Sequence, residues 1–306
     1  GRWPAVRYET VEARRRDWVR QDEDLSAVGR AKRTFTASSG ESFPSTWSIA
    51  SAPYRNAIIE GERNVGLREA VANLEGTESA LACASGMAAV HVSLMAAGVT
   101  SGSSVIAAQD VYGGTYALLT QVLTSQGVQV RMIDVTHLDT VARVVEQLEP
   151  AALLVETISN PVLKVANIPA LAALIHGVGG KLIVDNTFAT PCLYRPALHG
   201  ADFVVESATK YLGGHGDAMA GLLAASEQDC RTALDLQKII GGILGPNEAW
   251  LILRGIKTLV LRMRQQCRNA LVTARFLSSH PDVAHVYYPG LPTHPQFSLC
   301  PRLFPE

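Results

Sequence analysis

Short apolar runs alternate with helical stretches along most of the chain. From Gly61 onward the pattern is regular, and VGLREAVANLE places Val65, Leu67, Val71 and Leu74 at near-helical spacing. Seven apolar runs follow: SALACA, SVIAA, VQVRMIDV, ALLVET, KLIVDN, DFVVESA and AGLLAA. Strands that are apolar throughout are typical of a sheet covered on both faces. The alternation therefore predicts an α/β fold with a mostly parallel sheet.

The ends of the chain differ from this regular part. Residues 1–60 have weak periodicity and many Ser, Thr, Arg and Pro residues, which predicts an N-terminal arm. A long helical pattern begins near Pro246, in NEAWLILRGIKTLVLRMRQQCRNALVTARFLSS. We expect an α/β domain over 61–247, followed by a linker helix and the start of a second domain over 248–306.

Composition excludes several classes of function. Of the 306 residues 47% are hydrophobic and 18% are charged, and the net charge is -1, so nothing indicates a nucleic-acid partner. The sequence contains no run of 18 apolar residues, so it predicts no membrane-spanning helix. The five cysteines are scattered without CxxC spacing, so we expect no metal site and reduced thiols in a cytoplasmic protein.

Ligands of α/β folds bind at the carboxyl ends of the strands, and polar residues follow several of the apolar runs. SATKYLGGHGDAMAG places Lys210 after the hydroxyl groups of Ser207 and Thr209 and before glycines that let the backbone turn tightly beside a ligand. Burial and nearby positive charge lower the pKa of a lysine, which then forms a Schiff base with a carbonyl. The alternative is a surface lysine in a glycine-rich loop.

Two further strand ends carry candidate groups. Asp185 in LIVDNTF has a carboxylate that suits a protonated pyridine nitrogen, and Thr187 could brace the ring; the alternative is an Asx turn. Ser85, Gly86 and Met87 open a helix after SALACA, where free N–H groups and the helix dipole favour a phosphate. The alternative there is an ordinary helix N-cap.

The remaining candidates suit a flat aromatic ligand. Tyr112, beside two glycines in VYGGTY, could stack on a ring or be a packed core tyrosine. Glu156 and Asn160 lie in ETISNP, where Asn160 could donate to a phenolate oxygen or belong to a strand-end turn. Together these candidates offer an anion-binding site, an aromatic ring for stacking, a carboxylate, a hydrogen-bond donor and an amine. This combination suits pyridoxal 5'-phosphate.

Eight motifs in one order carry a resemblance to a known family. They are ANLEG, ASGMAAV, VYGGTY, ETISNPVLKVANI, LIVDNTFATP, SATKYLGGHGDAMAG, ILGPNEAWLILRGIKTL and YYPGLPTHPQ. From about residue 61 to residue 300 the chain resembles the Cys/Met-metabolism (trans-sulfuration) family of pyridoxal phosphate enzymes. The resemblance implies the type I PLP-dependent transferase fold, aspartate aminotransferase-like. In this fold a mostly parallel seven-stranded sheet is flanked by helices, and the C-terminal domain would be truncated here.

The resemblance also implies a role for each matching residue. Lys210 would be the Schiff-base lysine and proton shuttle, Tyr112 would stack on the ring and assist proton transfer, and Asp185 would pair with the pyridine nitrogen. The other implied cofactor contacts are Ser85, Gly86, Met87, Glu156, Asn160, Thr187, Ser207 and Thr209.

Three departures from the family pattern stand out. A Tyr-x-Arg pair that reaches the phosphate of a neighbouring subunit is replaced by Asn56 and Ile58, unless a local shift brings Tyr54 and Arg55 there. Glu206 stands where the family usually has histidine, and GHSD becomes GHGD. The third departure concerns a C-terminal region of the family that holds an arginine for the substrate carboxylate. This chain has no segment that matches that region.

The implied activity is γ-elimination or γ-replacement on cystathionine or O-acylhomoserine-like amino acids, in a cytoplasmic homotetramer built as a dimer of dimers. The alternatives are O-acetylhomoserine sulfhydrylase or cystathionine β-lyase activity, or a catalytically silent PLP-binding paralogue that acts as a subunit.

Overall fold

The computed structural model describes residues 63–304 of the chain. The predicted N-terminal arm lies outside the described residues. So do the four positions considered for the inter-subunit phosphate contact: Tyr54, Arg55, Asn56 and Ile58. The boundaries placed at 61–247 and 248–306 stay predictions.

The seven predicted apolar runs all form strands. They are β1 (Ser79–Cys83), β2 (Ser104–Ala108), β3 (Gln129–Ile133), β4 (Ala152–Glu156), β5 (Lys181–Asp185), β6 (Phe203–Glu206) and β7 (Gly221–Ala225). They form one sheet in the order β1-β7-β6-β5-β4-β2-β3. In this sheet β7 runs antiparallel to β1 and β6, and every other neighbouring pair is parallel. The predicted mostly parallel sheet is therefore confirmed.

Helices connect the strands. In the described part of the chain they are α1 (Arg63–Glu75), α2 (Gly86–Ala96), α3 (Gly113–Ala117), α4 (Leu138–Leu148), α5 (Ile168–His176), α6 (Thr190–Leu193), α7 (Glu227–Ile240), α8 (Pro246–Ile256), α9 (Leu259–Ser278) and α10 (Cys300–Leu303). A π-helical segment (Leu118–Leu123) continues α3, and a 3₁₀ turn (Pro196–His199) precedes β6. Side-chain caps start several helices. The Ser226 hydroxyl, for example, accepts a hydrogen bond from the Asp229 N–H at 3.1 Å at the start of α7.

The sheet is buried on both faces, as its apolar runs predict. Successive residues of a strand face opposite sides, so Leu222 of β7 packs in one core with α1 and α8 while Leu223 packs in the other with α2. Both side chains are fully buried. Burying each leucine contributes about 1.5–3 kcal/mol relative to leaving it exposed.

Strand β3 is the exception to burial on both faces. It lies at one edge of the sheet, where Gln129 and Arg131 are exposed and only Ile133 of the strand is buried. The expectation that this run is covered on both faces is wrong, because the polar side chains of Gln129 and Arg131 lie on one face of the strand and are exposed to solvent.

The long helical pattern near Pro246 forms two helices instead of one. Helix α8 starts with Pro246 in its first turn and ends at Ile256, and α9 begins at Leu259 after the short junction of Lys257 and Thr258. Even α9, at 20 residues, is interrupted by charged side chains. No helix within residues 63–304 is long and apolar enough to cross a membrane.

Candidate active site

One edge of the sheet collects the residues that the sequence singles out. Strands β1, β2, β4, β5 and β6 run in the same direction, so their carboxyl ends meet at this edge, and antiparallel β7 starts there. In the register between β4 and β5, Glu156 lies directly beside Asp185. The candidate residues that follow or end these strands are Ser85, Gly86, Met87, Tyr112, Glu156, Asn160, Asp185, Thr187, Ser207, Thr209 and Lys210.

The start of α2 offers free backbone donors. Ser85 caps the helix, because its hydroxyl accepts a hydrogen bond from the Ala88 N–H at 3.1 Å. Within the described residues, no protein group accepts from the N–H groups of Gly86 and Met87. The N-cap alternative therefore holds for Ser85, while the next two N–H groups remain available to an anion.

Ser207 lies against this helix start. A Cβ atom placed on Gly86 would be 2.9 Å from the Ser207 Cβ and 3.1 Å from its hydroxyl oxygen. A Cβ on Gly221, at the start of β7, would be 2.0 Å from the Ser85 carbonyl oxygen. Glycine is thus required at both positions for the close approach. The Ser207 hydroxyl has no partner among residues 63–304, so it adds a third free donor beside the two N–H groups.

Thr187 links the end of β5 to the segment that carries Lys210. Its N–H donates to Asp185 Oδ1 at 3.0 Å, and its hydroxyl oxygen accepts from the Ser207 N–H at 2.7 Å. The Asx-turn alternative for Asp185 is therefore formed, and it leaves a carboxylate at the strand end. Burial raises the pKa of Asp185, while hydrogen bonds from Thr187 act in the opposite direction. A cation beside this carboxylate would favour its ionised form.

Glu156 fixes two loops of the site. Its Oε1 accepts from the Tyr112 N–H at 2.7 Å and its Oε2 accepts from the Asn160 N–H at 2.9 Å. Burial and the charge of Asp185 raise the pKa of Glu156 to about 7, although the two N–H groups lower it. Both carboxylate oxygens are thus occupied by backbone donors, so Glu156 positions other residues.

The groups that Glu156 positions are open to a ligand. The Tyr112 side chain is 51% exposed, so the alternative of a packed core tyrosine is wrong. Its ring lies over Gly114, where an added Cβ would be 2.6 Å from the Tyr112 Cε1 and 3.1 Å from the Met87 Sδ. The Asn160 side-chain amide has no hydrogen-bond partner in the described part of the chain.

Lys210 lies in the turn after β6 with its side chain exposed. Its N–H donates to the Ser207 carbonyl at 3.0 Å, and its carbonyl accepts from the Gly214 N–H at 2.8 Å. Across residues 63–304, no side chain pairs with the Lys210 ammonium, and the burial that the sequence analysis considered for this lysine is not observed. Thr209 is engaged differently, because its hydroxyl exchanges hydrogen bonds with the N–H and carbonyl of Ala220.

The glycines after Lys210 meet helices. A Cβ on Gly213 would be 2.9 Å from the Ile252 Cδ1 of α8. Gly214, with φ +70°, lies against the guanidinium of Arg262 on α9. The positive φ of Gly214 confirms the tight turn that the sequence predicts. The space beside Gly213 and Gly214 is occupied by α8 and α9.

Beneath this edge lies a buried polar cluster that the sequence analysis missed. Glu75 and Glu206 are 0% and 1% exposed. The Asn186 amide donates to Glu75 Oε1 at 3.2 Å and to the Tyr194 carbonyl at 2.9 Å, and its oxygen accepts from the Thr157 hydroxyl at 2.7 Å. No donor from the described residues reaches either oxygen of Glu206 or Oε2 of Glu75. The two carboxyl groups are neighbours, and burial disfavours their charged forms. We infer that they share a proton, which would satisfy oxygens that no other described donor reaches.

The shared proton sets the pH dependence of this pair. Burial raises the pKa of Glu75 to about 7, and burial together with the Glu75 charge raises the pKa of Glu206 well above its usual range. The folded chain keeps these protons at pH values where the unfolded chain releases them. The stabilising contribution is therefore full below about pH 4.5, the usual pKa, and is lost as the pH rises through about 7. Asp185 and Cys192 face Glu206, and Arg195 faces Glu75, whose pKa it lowers.

We expect Glu206→Gln to flatten the dependence of stability on pH. The glutamine amide donates to Glu75 at every pH, so the variant has one proton fewer to lose. Between about pH 5 and 8 its free energy of unfolding should fall less steeply than that of the wild type, by up to about 1.4 kcal/mol per pH unit. Denaturant midpoints at constant m value measure the difference. Glu146→Gln, an exposed position on α4, should keep the wild-type slope; equal slopes for all three proteins would contradict a shared proton.

Comparison with known proteins assigns the chain to a family. Residues 59–305 match the family model described as Cys/Met metabolism PLP-dependent enzyme. The chain belongs to this family. The resemblance inferred from the eight motifs is confirmed, and pyridoxal phosphate is the cofactor of the family.

Individual relatives agree with the family. Cystathionine beta-lyase of Lactococcus lactis is 44% identical over 237 residues, which cover 77% of this chain and 62% of the relative. Cystathionine gamma-lyase of Bacillus subtilis is 41% identical over 248 residues, covering 81% and 65%. A probable cystathionine gamma-synthase of Herpetosiphon aurantiacus is 40% identical over 248 residues, covering 81% and 77%. The chain thus spans less than two thirds of the lactococcal relative.

A solved structure of the family confirms the fold class. The crystal structure of MetB from Corynebacterium glutamicum superposes with a TM-score of 0.77 at 38% identity, covering 80% of this chain and 63% of that chain. The mostly parallel seven-stranded sheet with flanking helices is therefore the fold of this family.

Proposed function

We propose that the chain binds pyridoxal phosphate at the carboxyl edge of its sheet, with Lys210 as the covalent anchor. The observation that carries the proposal is the unpaired Lys210 amine in the turn that begins at Ser207. The phosphate would bind the N–H groups of Gly86 and Met87 and the Ser207 hydroxyl. These three donors are unpaired within residues 63–304 and lie at a helix start that favours an anion.

The ring would be held by residues of three neighbouring strands. Asp185 would hold the ring nitrogen in its protonated form, Tyr112 would stack on one face and Asn160 would donate to the ring hydroxyl. When bound, the cofactor withdraws electrons from the substrate carbon that has lost a proton. Support for this arrangement comes from the raised pKa of Asp185, which a cation opposite would offset, and from the exposed Tyr112 ring.

The remaining candidates would act by positioning others. Glu156 holds the Tyr112 and Asn160 loops through their N–H groups, and Thr187 joins Asp185 to Ser207. The Ser85 and Thr209 hydroxyls are occupied by Ala88 and Ala220 in the described residues. These side chains would therefore shape the phosphate site.

The reaction we propose is γ-elimination or γ-replacement on cystathionine or O-acylhomoserine-like amino acids. The Lys210 amine would accept the α-proton and return a proton to the product, and the γ-substituent would leave with its bonding electrons. Relatives named for gamma-lyase and gamma-synthase activity support this class. β-Elimination from cystathionine is a second candidate, favoured by 44% identity to a cystathionine beta-lyase.

A product assay on the full-length polypeptide tests the proposal. Cleavage of cystathionine on the γ side leaves cysteine, ammonia and a four-carbon keto acid, whereas cleavage on the β side leaves homocysteine, ammonia and pyruvate. Replacement converts an O-acylhomoserine and a thiol into a thioether and a free carboxylic acid. Bound cofactor without any of these products would support a silent subunit. A protein that retains no cofactor would overturn the proposal.

A side chain added at Gly86, in the proposed phosphate site, should weaken cofactor binding. In Gly86→Ala the new methyl group would lie 2.9 Å from the Ser207 Cβ, so the serine must move away from the free N–H groups. We expect the dissociation constant for pyridoxal phosphate to rise about tenfold, roughly 1.4 kcal/mol, in a fluorescence titration of the apoprotein. Gly113→Ala is the matched control, since its Cβ would meet nothing within 4 Å. Equal affinities of the two variants would exclude this helix start as the phosphate site.

We also propose a cytoplasmic homotetramer. The five cysteines are free thiols, as is usual in reducing compartments. Large apolar side chains such as Ile239, Ile243, Leu261 and Phe276 are more than half exposed in the single chain, which supports contacts with further copies. Sedimentation velocity of the full-length protein measures the assembly.

A further inference from the structure

The turn that carries Lys210 rests on the junction between α8 and α9. Gly255 of α8 faces the backbone of this turn so closely that a Cβ there would be 2.2 Å from the Gly213 carbonyl oxygen and 2.7 Å from that of Leu212. On the same side, Ile252 packs at the Gly213 position. The turn and the helix junction therefore meet backbone to backbone.

Arg262, in the first turn of α9, binds both sides of this contact. Its Nη1 donates to the Tyr211 carbonyl at 2.6 Å, and its Nη2 donates to the carbonyls of Leu212 at 3.3 Å and Gly255 at 2.8 Å. Its Nε donates to the Thr258 hydroxyl at 3.0 Å. One half-buried guanidinium thus joins the two residues after Lys210 to the end of α8 and to the junction.

The chemistry of this contact requires arginine. Hydrogen bonds from a charged donor are stronger than neutral ones, and the planar guanidinium reaches three carbonyls from fixed directions. A lysine ammonium at the same position is a single point charge on a flexible stem. Gly214 leaves room for the group, because an added Cβ would overlap Nη1 of Arg262.

We propose that Arg262 is the positioning residue of the Lys210 turn and sets the direction in which the amine meets the cofactor aldehyde. The inference rests on the proposed function of Lys210. Arg262 touches neither the phosphate donors on α2 nor the carboxylate at the end of β5. Its loss should therefore slow covalent attachment and leave non-covalent binding of the phosphate unchanged.

The experiment compares Arg262→Lys with Arg264→Lys, its exposed neighbour on the same helix. Apoprotein is mixed with saturating pyridoxal phosphate, quenched with borohydride at successive times and analysed by mass spectrometry for the reduced adduct at residue 210. We expect adduct formation at least about tenfold slower in Arg262→Lys and unchanged in Arg264→Lys. Affinity for pyridoxine phosphate, which lacks the aldehyde, should stay within about twofold in both variants. A loss of structure alone would weaken both measurements together.

Each outcome separates this inference from the proposed function. Wild-type adduct rates in folded Arg262→Lys would overturn the role of Arg262 and leave that of Lys210 intact. Adduct formation in Lys210→Ala at the wild-type rate would overturn the proposed function itself. If circular dichroism shows that Arg262→Lys is unfolded, the variant Thr258→Val tests the role of Arg262 instead. It removes the hydroxyl that accepts from Nε and that also donates to the Gly255 carbonyl at 3.2 Å. We expect a slowing of about threefold; no slowing would overturn the inference.

Discussion

Lys210→Ala is expected to lose covalent cofactor attachment and to reduce turnover at least about a thousandfold. The amine is proposed both to hold the cofactor aldehyde and to move the substrate proton, and general acid–base catalysis alone contributes about 10²–10⁴-fold. The phosphate donors lie on α2 and at Ser207, so pyridoxine phosphate should still bind. Borohydride reduction with mass spectrometry measures the attachment, and steady-state product formation measures the turnover.

Lys238→Ala provides the comparison for this variant. Lys238 is exposed on α7, and its partner among the described residues is Asp235, three positions earlier. Exposed pairs of this kind contribute about 0–1 kcal/mol to stability. It should keep wild-type attachment and turnover. A reduced adduct found on any lysine other than Lys210 in the wild type would refute the assignment of the anchor.

Asp185→Asn should uncouple cofactor binding from catalysis. Asparagine keeps an oxygen that accepts the Thr187 N–H, so the turn at the end of β5 is preserved. The negative charge is lost, and with it the group proposed to keep the ring nitrogen protonated. We expect the cofactor to remain attached while turnover falls about 10²–10³-fold, the usual cost of removing one preorganised electrostatic contact.

The comparison for Asp185→Asn is Asp139→Asn, an exposed position in the first turn of α4. It changes the net charge by the same amount at a site remote from the sheet edge. Turnover within twofold of the wild type is expected for it, since surface substitutions have small effects (about ±0.5 kcal/mol). Equal turnover of Asp185→Asn and the wild type would mean that another group protects the ring proton.

Local sequence patterns were sufficient to predict most of the sheet. Runs such as KLIVDN are apolar at consecutive positions, which only a strand buried on both faces requires at that length. They failed for β3, because Gln129 and Arg131 interrupt VQVRMIDV at alternate positions, which is typical of a strand with one face in solvent. They also did not place the break at Lys257 and Thr258, where the helical period continues across the junction.

The rule that ligands bind at the carboxyl ends of strands predicted where the candidate site lies. The structural roles considered as alternatives, a helix cap and an Asx turn, are compatible with a ligand at the same residues. Ser85 is a helix cap and also precedes the two free N–H groups, and Asp185 forms an Asx turn with its carboxylate still at the strand end. A choice between the capping role and the binding role was therefore unnecessary at these residues. Tyr112 was different, since its exposure depends on the packing around α3.

Contacts between distant segments could not be predicted from local patterns. Glu75 and Glu206 are brought together by the packing of α1 on the sheet, and their shared proton depends on burial that only the fold supplies. Arg262 reaches Tyr211 across 51 positions of sequence. The glycines of GGHG were easy to recognise, yet the partners that require them lie on α8 and α9.

The reversed direction of β7 has a consequence for how the protein unfolds on heating. Because β6 and β7 are antiparallel neighbours, the chain returns from one to the other without crossing a face of the sheet. Lys210, the proposed anchor, is thus carried by the loop of a hairpin whose two strands lie inside the sheet, away from its edges. Both ends of this loop are held by buried strands, so we expect its conformation to be lost together with the sheet. Reactivity toward aldehydes and amide-proton protection in the sheet should consequently disappear in one cooperative step.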